Sequence, residues 1–227
     1  LKRKIITTKD GSKTIHIEDW NEQYHSTHGA IQEAKHVFLK HGLAFKLSEI
    51  ENTSNPSLSI LEIGFGTGLN ALLTFLESQK HHIPIAYTGV EAYPVSLDEI
   101  SELNYAELLS TNQEEQTIFK QMHTCVWEKP CFLSKEFSLT KVKMFFKDIT
   151  FNNQFDVIYF DAFGSRVQPE LWEVPIFKRM YKALKNKGVL VTYSAKGSAR
   201  RAMQEVGFQV EKLPGPPGKR EMLRAIK

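Results

Sequence analysis

From Leu58 onward, short apolar runs alternate with segments of helical period, and this alternation constrains the fold more than any other feature. Strand "LSILEIGF", helix "LNALLTFLESQK", strand "IAYTGVEA" and helix "SLDEISELNYAELLS" follow one another. Residues 112–140 are less regular and are predicted as a helix, "QEEQTIFKQMHT", and a loop holding Trp127, Pro130 and Cys131. Strands "KVKMFFKDI" and "FDVIYFDAF", helix "ELWEVPIFKRMYKALKN", strand "GVLVTYS" and helix "GSARRAMQEVG" come next. Strands separated by helices pair in parallel, with the crossovers covering both faces of the sheet. The last two strands, "FQVEKL" and "EMLRAIK", share only the turn "PGPPGKR" and must therefore be antiparallel. The expected fold is α/β, with a seven-stranded, mostly parallel sheet ending in a C-terminal antiparallel hairpin.

Ahead of this core, "KTIHI" reads as a strand and "STHGAIQEAKHVFLKHG" as a helix entered through Ser26 or Thr27 and stopped at Gly42, with "NTSNPS" as a loop. Residues 1–55 are expected to form an N-terminal extension packed on a domain spanning 56–227, the whole being one structural unit. The 227 residues, 41% hydrophobic and 11% aromatic, suit one such core and are too few for two ordinary domains. No apolar run reaches the length of a membrane span and the lysine-rich start lacks a signal-peptide core, which points to the cytoplasm. Cys125 and Cys131 form no CxxC pair and the histidines recur at no ligand spacing, so free thiols and no metal are expected. From Lys178 to Lys227 there are 13 Lys and Arg against 3 Asp and Glu, the footprint of a phosphate-rich partner or of a solvated helix face.

Open α/β sheets bind ligands beyond the carboxyl ends of their strands. The first core strand ends in Gly64-Phe65-Gly66-Thr67-Gly68, where missing Cβ atoms allow a tight turn and the next helix aims its N-terminus at a ligand. The GxGxG spacing is one residue short of the dinucleotide form GxGxxG. Glu91 ends the second strand, placed to accept both hydroxyls of a ribose, as in sites for NAD or S-adenosyl-L-methionine. Asp148 ends the third, as an acceptor for an adenine amino group or as a helix cap. Asp161 ends the fourth, followed by Phe163: a carboxylate for a substrate nitrogen beside a flat ring, or a turn aspartate. A seven-stranded sheet closing in an antiparallel pair is the arrangement of Rossmann-like class I methyltransferases.

In "GFGTGLN", "KDI", "FDAFGSRVQPELW", "SAKGSARRAMQEVGF" and "GKREML" the sequence resembles the methyltransferase domain of the bacterial tRNA 5-methylaminomethyl-2-thiouridine biosynthesis proteins, over nearly the whole chain. It departs from the commoner "DGFAP" motif, with Ala162 for Gly and Gly164-Ser165 for Ala-Pro, but keeps the aspartate. The resemblance implies that Gly64, Gly66, Thr67, Gly68 and Glu91 hold the methionine and ribose of S-adenosyl-L-methionine, Asp148 its adenine, and that Asp161 is catalytic. Tyr24 and Glu33 would close over the methionyl end, with simple packing the alternative for Tyr24. Phe163 and Trp172 would stack on a uracil ring, although a core position fits Trp172 equally. Lys196, Arg200, Arg201, Lys219 and Arg220 would hold phosphates of a tRNA anticodon stem-loop. The implied reaction methylates 5-aminomethyl-(2-thio)uridine at the wobble position, in a stand-alone form served by a separate FAD oxidase.

Three rivals share parts of this pattern. An aminopropyltransferase needs further carboxylates around a polyamine where this chain has Arg166, although another small-amine methyltransferase on the same fold would not. An NAD-dependent oxidoreductase is disfavoured by the glycine spacing. A tRNA-binding module with a relic cofactor fold would bind RNA but no S-adenosyl-L-methionine.

Overall fold

The computed structural model describes residues 2–50, 53–109 and 112–227. The first residue of the predicted 52–57 loop and the last of the helix predicted through 110 lie outside these. Strands β1 (Arg3–Thr7), β2 (Lys13–Ile17) and β3 (Glu22–Gln23) form a small antiparallel sheet. A continuous helical segment follows: α1 (Ala30–Ala34), a stretch in π register (Lys35–Ala44) and α2 (Phe45–Ile50).

The helix is thus entered from Gly29 instead of Ser26 or Thr27, and runs through Gly42 instead of stopping there. Gly42 serves close packing: a Cβ on it would stand 2.9 Å from Val191 Cγ2 and 3.2 Å from Tyr159 Cε1 on the sheet below. The wide π turn, uncommon over ten residues, brings Val37, Phe38, Leu39 and Leu43 onto the buried side.

The core continues as β4 (Leu58–Ile63), α3 (Leu69–His81), β5 (Ile85–Val90), α4 (Leu97–Ser101), α5 (Tyr105–Leu109), α6 (Gln113–Thr124), β6 (Pro130–Phe132), β7 (Phe137–Val142) and β8 (Phe155–Phe160). It closes with α7 (Val174–Ala183), β9 (Leu184–Thr192), α8 (Gly197–Val206), β10 (Gln209–Pro214) and β11 (Glu221–Ile226). The main sheet runs β10-β11-β9-β8-β4-β5-β7-β6. Strands β7, β5, β4, β8 and β9 are parallel, and the β10–β11 hairpin pairs antiparallel to β9.

Among the described residues the sheet has eight strands, because Pro130–Phe132 adds an antiparallel edge beside β7 where the sequence predicts a loop. Three residues including a proline are too few to show alternation. The third parallel strand also lies earlier than "KVKMFFKDI" suggested. Phe137, Leu139 and Lys141 alternate inward along β7, which ends at Val142, and Phe146–Asp148 form a 3-10 turn beyond it. The helix predicted over 96–110 breaks into α4, capped by Ser96 and Glu99 in a reciprocal box, and α5.

The central strands of the main sheet, β4 and β8 above all, are buried on both faces. Leu58 and Ile60 face a core formed with the 30–50 segment, α3 and α6, whereas Leu61 and Ile63 face one formed with α7, α8 and Trp172. Pairing then fixes the site: Ile63 lies opposite Val90 on one side and Phe160 on the other, so Gly64, Glu91 and Asp161 emerge side by side. Among the described residues no helix is long and apolar enough to cross a membrane.

Candidate active site

A cavity of about 740 Å³ opens over the carboxyl ends of β4, β5 and β8. Gly64 has φ +91°, and a Cβ on it would stand 2.8 Å from the carbonyl oxygen of Asp161. Gly66 has φ +49°, and a Cβ there would meet the Tyr24 ring at 3.0 Å. Both positions combine left-handed backbone with a neighbour that leaves no room for a side chain. Gly68 precedes the first turn of α3, and the buried Thr67 lies between the last two glycines. One Glu91 oxygen accepts the Gly66 N–H at 3.0 Å and the other the Tyr93 N–H at 2.9 Å, joining the ends of β4 and β5.

Asp161 lines the cavity and accepts a hydrogen bond from Asn70 Nδ2 at 2.9 Å. Burial, reinforced by the Glu33 charge, pushes its pKa up to about 7, against the opposing pull of Asn70 and Lys219. The same Asn70 nitrogen donates to Glu62 Oε1 at 2.8 Å. Glu62 is 1% exposed, and burial raises its pKa well above the carboxylate range.

The small N-terminal sheet and the segment after it form the lid. The Tyr24 ring stands edge-on to Phe163 at 4.9 Å, and Trp20 meets the same ring at 5.5 Å. Arg166 Nη2 donates to the carbonyls of Trp20 and Asn21, both at 2.9 Å, and to Glu22 at 3.1 Å. Arg3 ties the first strand to the carbonyl of Tyr93 and to Glu99. Buried Glu33 accepts the Ser26 N–H at 2.9 Å and pairs with Lys219, whose ammonium also lies over the Tyr193 ring at 4.1 Å.

The structure therefore gathers Gly64, Gly66, Thr67, Glu91, Tyr24, Glu33, Asp161, Phe163 and Lys219 around one cavity, with Gly68 behind it. The placements of Asp148 and Lys219 differ from expectation, and that of Trp172 takes one of its two alternatives. Asp148 is exposed and lies outside the cavity wall, because β7 ends six residues before it; Tyr93, Phe145 and Phe146 line that end instead. Trp172 is 4% exposed, donates its indole N–H to the Phe163 carbonyl and packs on Phe160, so it belongs to the core and presents no face to a ligand. Lys219 points into the cavity toward Glu33 and away from the outer surface. Lys196, Arg201 and Arg220 are exposed and Arg200 half-buried, all outside the cavity on the start of α8 and the β10–β11 turn.

Sequence reading missed Glu62 and Asn70. A charged residue in "LSILEI", on a strand apolar on both faces, was the available signal.

The family described as S-adenosyl-L-methionine-dependent methyltransferase matches residues 113–227. The chain belongs to this family. Curated relatives include the tRNA 5-methylaminomethyl-2-thiouridine biosynthesis bifunctional proteins MnmC of Hydrogenovibrio crunogenus and Leptospira interrogans. Each is 28% identical over 96% of this chain, covering 33% and 34% of the relative. The chain thus spans about a third of the length of the curated relatives it matches. Among solved structures, MnmC2 from Aquifex aeolicus superposes with a TM-score of 0.76 at 23% identity, covering 99% of this chain and 70% of that one. Spermidine synthase from Thermotoga maritima superposes with a TM-score of 0.56 at 16% identity, covering 99% and 68%. These two likenesses show the fold.

The family's cofactor is S-adenosyl-L-methionine, and the donor set fits it. The glycine turn leaves a cradle that a Cβ would fill, and Glu91 offers carboxylate oxygens beside it. Asn70 Oδ1 is buried without a hydrogen-bond partner among the described residues. No group of three or more His, Cys, Asp or Glu stands ready for a metal ion among those residues.

Proposed function

We propose that this chain methylates the primary amine of a 5-aminomethyl-(2-thio)uridine at the wobble position of tRNA, giving the 5-methylaminomethyl product. The observation that carries this reading is Asp161: a carboxylate at the end of β8, inside the cavity and held by Asn70, two residues before an aromatic ring. The naming of the MnmC relatives for 5-methylaminomethyl-2-thiouridine supports the substrate class.

When bound, the cofactor supplies an electrophilic methyl group on a positively charged sulfonium. Gly64, Gly66, Thr67 and Gly68 form its cradle, Glu91 takes the ribose hydroxyls, and Tyr24 with Glu33 covers the methionyl end. Tyr93, Phe145 and Phe146, which line the cavity where Asp148 does not, would offer aromatic contact to the flat base of the cofactor.

An alkylamine arrives mostly protonated and must expose its lone pair before attack. Asp161 accepts a hydrogen bond from the incoming ammonium, orients the nitrogen and takes up its proton; a carboxyl pushed up to about 7 is suited to that exchange near neutral pH. Phe163 supports the uracil ring at the mouth. Lys196, Arg200, Arg201 and Arg220 meet the anticodon-stem phosphates. Residues 1–55 serve as the extension that lids a methyltransferase domain over 56–227. The amine substrate is supplied by an FAD oxidase, in the cytoplasm.

The test is Asp161→Asn. Cofactor binding by calorimetry is retained while methylation of aminomethyl-uridine tRNA falls by about 1,000-fold. Wild-type turnover in that variant sinks the assignment.

A further inference from the structure

In the cavity wall two carboxylates share one amide. Asn70, in the first turn of α3, sends one Nδ2 hydrogen to Glu62 Oε1 at 2.8 Å and the other to Asp161 Oδ2 at 2.9 Å. Asn70 is 2% exposed and Glu62 1%. The carboxylates stand on neighbouring parallel strands, since Glu62 pairs with Tyr159 and Ile63 with Phe160. Two adjacent buried carboxylates cannot both be ionised at low cost, and the surroundings separate them.

Glu62 lies next to the buried Tyr87 hydroxyl, and the groups that act on it, Asn70, Asp161, Tyr87 and Glu91, include no cation. Both carboxylates line the cavity, and Asp161 is the one that feels the Lys219 charge. The proton therefore resides on Glu62, and the negative charge on Asp161.

We propose that Asn70 is the positioning residue for Asp161: anchored on a neutral Glu62, its amide fixes the Asp161 carboxylate and favours its charged form, leaving the second oxygen free for the substrate ammonium. This rests on the reading of Asp161 as the group that meets the amine. The device needs an amide specifically. A carboxylate at position 70 sets a second negative charge beside Asp161 and has no hydrogen to give, and a hydroxyl has one hydrogen for two acceptors. Asn70 also stands at the positive end of the 13-residue α3, which adds to the preference for charge on Asp161.

The test combines infrared difference spectroscopy on protein carrying ¹³C-labelled aspartate or glutamate with kinetics on Asn70→Ala, Asn70→Ser and Glu62→Gln. In the wild type a carboxylic-acid C=O band absent from Glu62→Gln persists at about pH 8, and the Asp161 band, identified by its loss in Asp161→Asn, titrates near neutrality. Asn70→Ala moves that Asp161 midpoint up by about one unit and lowers kcat about 100-fold, with cofactor Kd changed less than about threefold. Glu62→Gln, a neutral amide for a neutral acid, leaves the Asp161 midpoint in place and serves as the spectral control for the Glu62 band.

An unmoved midpoint in Asn70→Ala, or a cofactor Kd that rises as far as kcat falls, overturns the proposal; the latter makes Asn70 a cofactor ligand. Absence of a Glu62 acid band at about pH 8 overturns it as well, and that arm holds even if neither Asn70 variant folds. The two readings fail separately. An active Asp161→Asn removes the role of Asp161, whereas an inactive Asp161→Asn beside a normal Asn70→Ala removes only the role of Asn70.

Discussion

The ring of Tyr24 lies directly on Gly66: a Cβ at Gly66 would stand 3.0 Å from Tyr24 Cδ1. The lid and the glycine turn are therefore fitted to each other. Gly66→Ala forces left-handed backbone on a residue with a side chain, costing about 1 kcal/mol or more, and also pushes Tyr24 away. Cofactor affinity measured by calorimetry falls at least about 10-fold. Adding Tyr24→Ala to Gly66→Ala recovers part of that loss if contact with the ring is its source, and none if backbone strain is.

Asp161 links stability to pH with an unusual sign. Its native pKa is raised to about 7 from an ordinary 3.8, so the native state binds more protons than the unfolded chain between those values. Its ionisation thus costs native stability increasingly as pH rises through that window. Asp161→Asn removes the cost, and its melting-temperature gain over wild type grows from about pH 4 to pH 7 and then levels off. A gain independent of pH refutes the raised pKa.

Arg166 closes the lid with one nitrogen on two carbonyls and Glu22. Exposed ion pairs add little to global stability. Arg166→Ala leaves the melting temperature nearly unchanged but speeds hydrogen exchange in residues 18–24, read by mass spectrometry, and raises the KM for the cofactor. Unchanged exchange in that segment refutes the clamp.

Arg200 and Arg201 make a separate electrostatic demand. The logarithm of tRNA affinity falls linearly with that of salt concentration, and Arg200→Gln with Arg201→Gln reduces the slope by about 1 to 2. A wild-type slope near zero refutes phosphate contact on this flank. Arg200 is the more informative of the two, because its Nε is buried without a hydrogen-bond partner among the described residues.

Tyr93 and Phe145 are 61% and 47% exposed and meet edge-on at 5.8 Å at the cavity rim. Phe145→Ala weakens cofactor binding about 10-fold, whereas Asp148→Ala leaves it within about twofold. The opposite order restores the adenine contact to Asp148.

What the sequence made legible was whatever depends on period and position. The order of parallel strands, the closing hairpin and the acids Glu91 and Asp161 at strand ends follow from alternation, and pairing through Ile63 turns them into neighbours. Asp148 misled because "KVKMFFKDI" looks like a strand ending in an acid, when the pleat runs from Phe137 and the chain leaves the sheet at Val142. Gly42 was read as a helix stop, yet it is a helix interior residue set by contact with Val191, a partner 149 residues away that no local window contains. Lys219 was assigned outward to phosphates by its basic company; its partner Glu33 is 186 residues distant. Trp172 stood open between ligand and core, and its indole bond to Phe163 places it in the core.

The Lys219–Glu33 pair also carries a kinetic consequence. It joins the helix after the first small sheet to the last hairpin across the mouth of the cavity. A contact of such sequence separation pays its loop-closure entropy late, after the local elements and the parallel strands have formed. A partly folded chain with a complete glycine turn thus has an open, unroofed cradle. Cofactor protection against proteolysis during refolding will lag behind the recovery of helical signal, so that ligand capture acts as the final reporter of native topology.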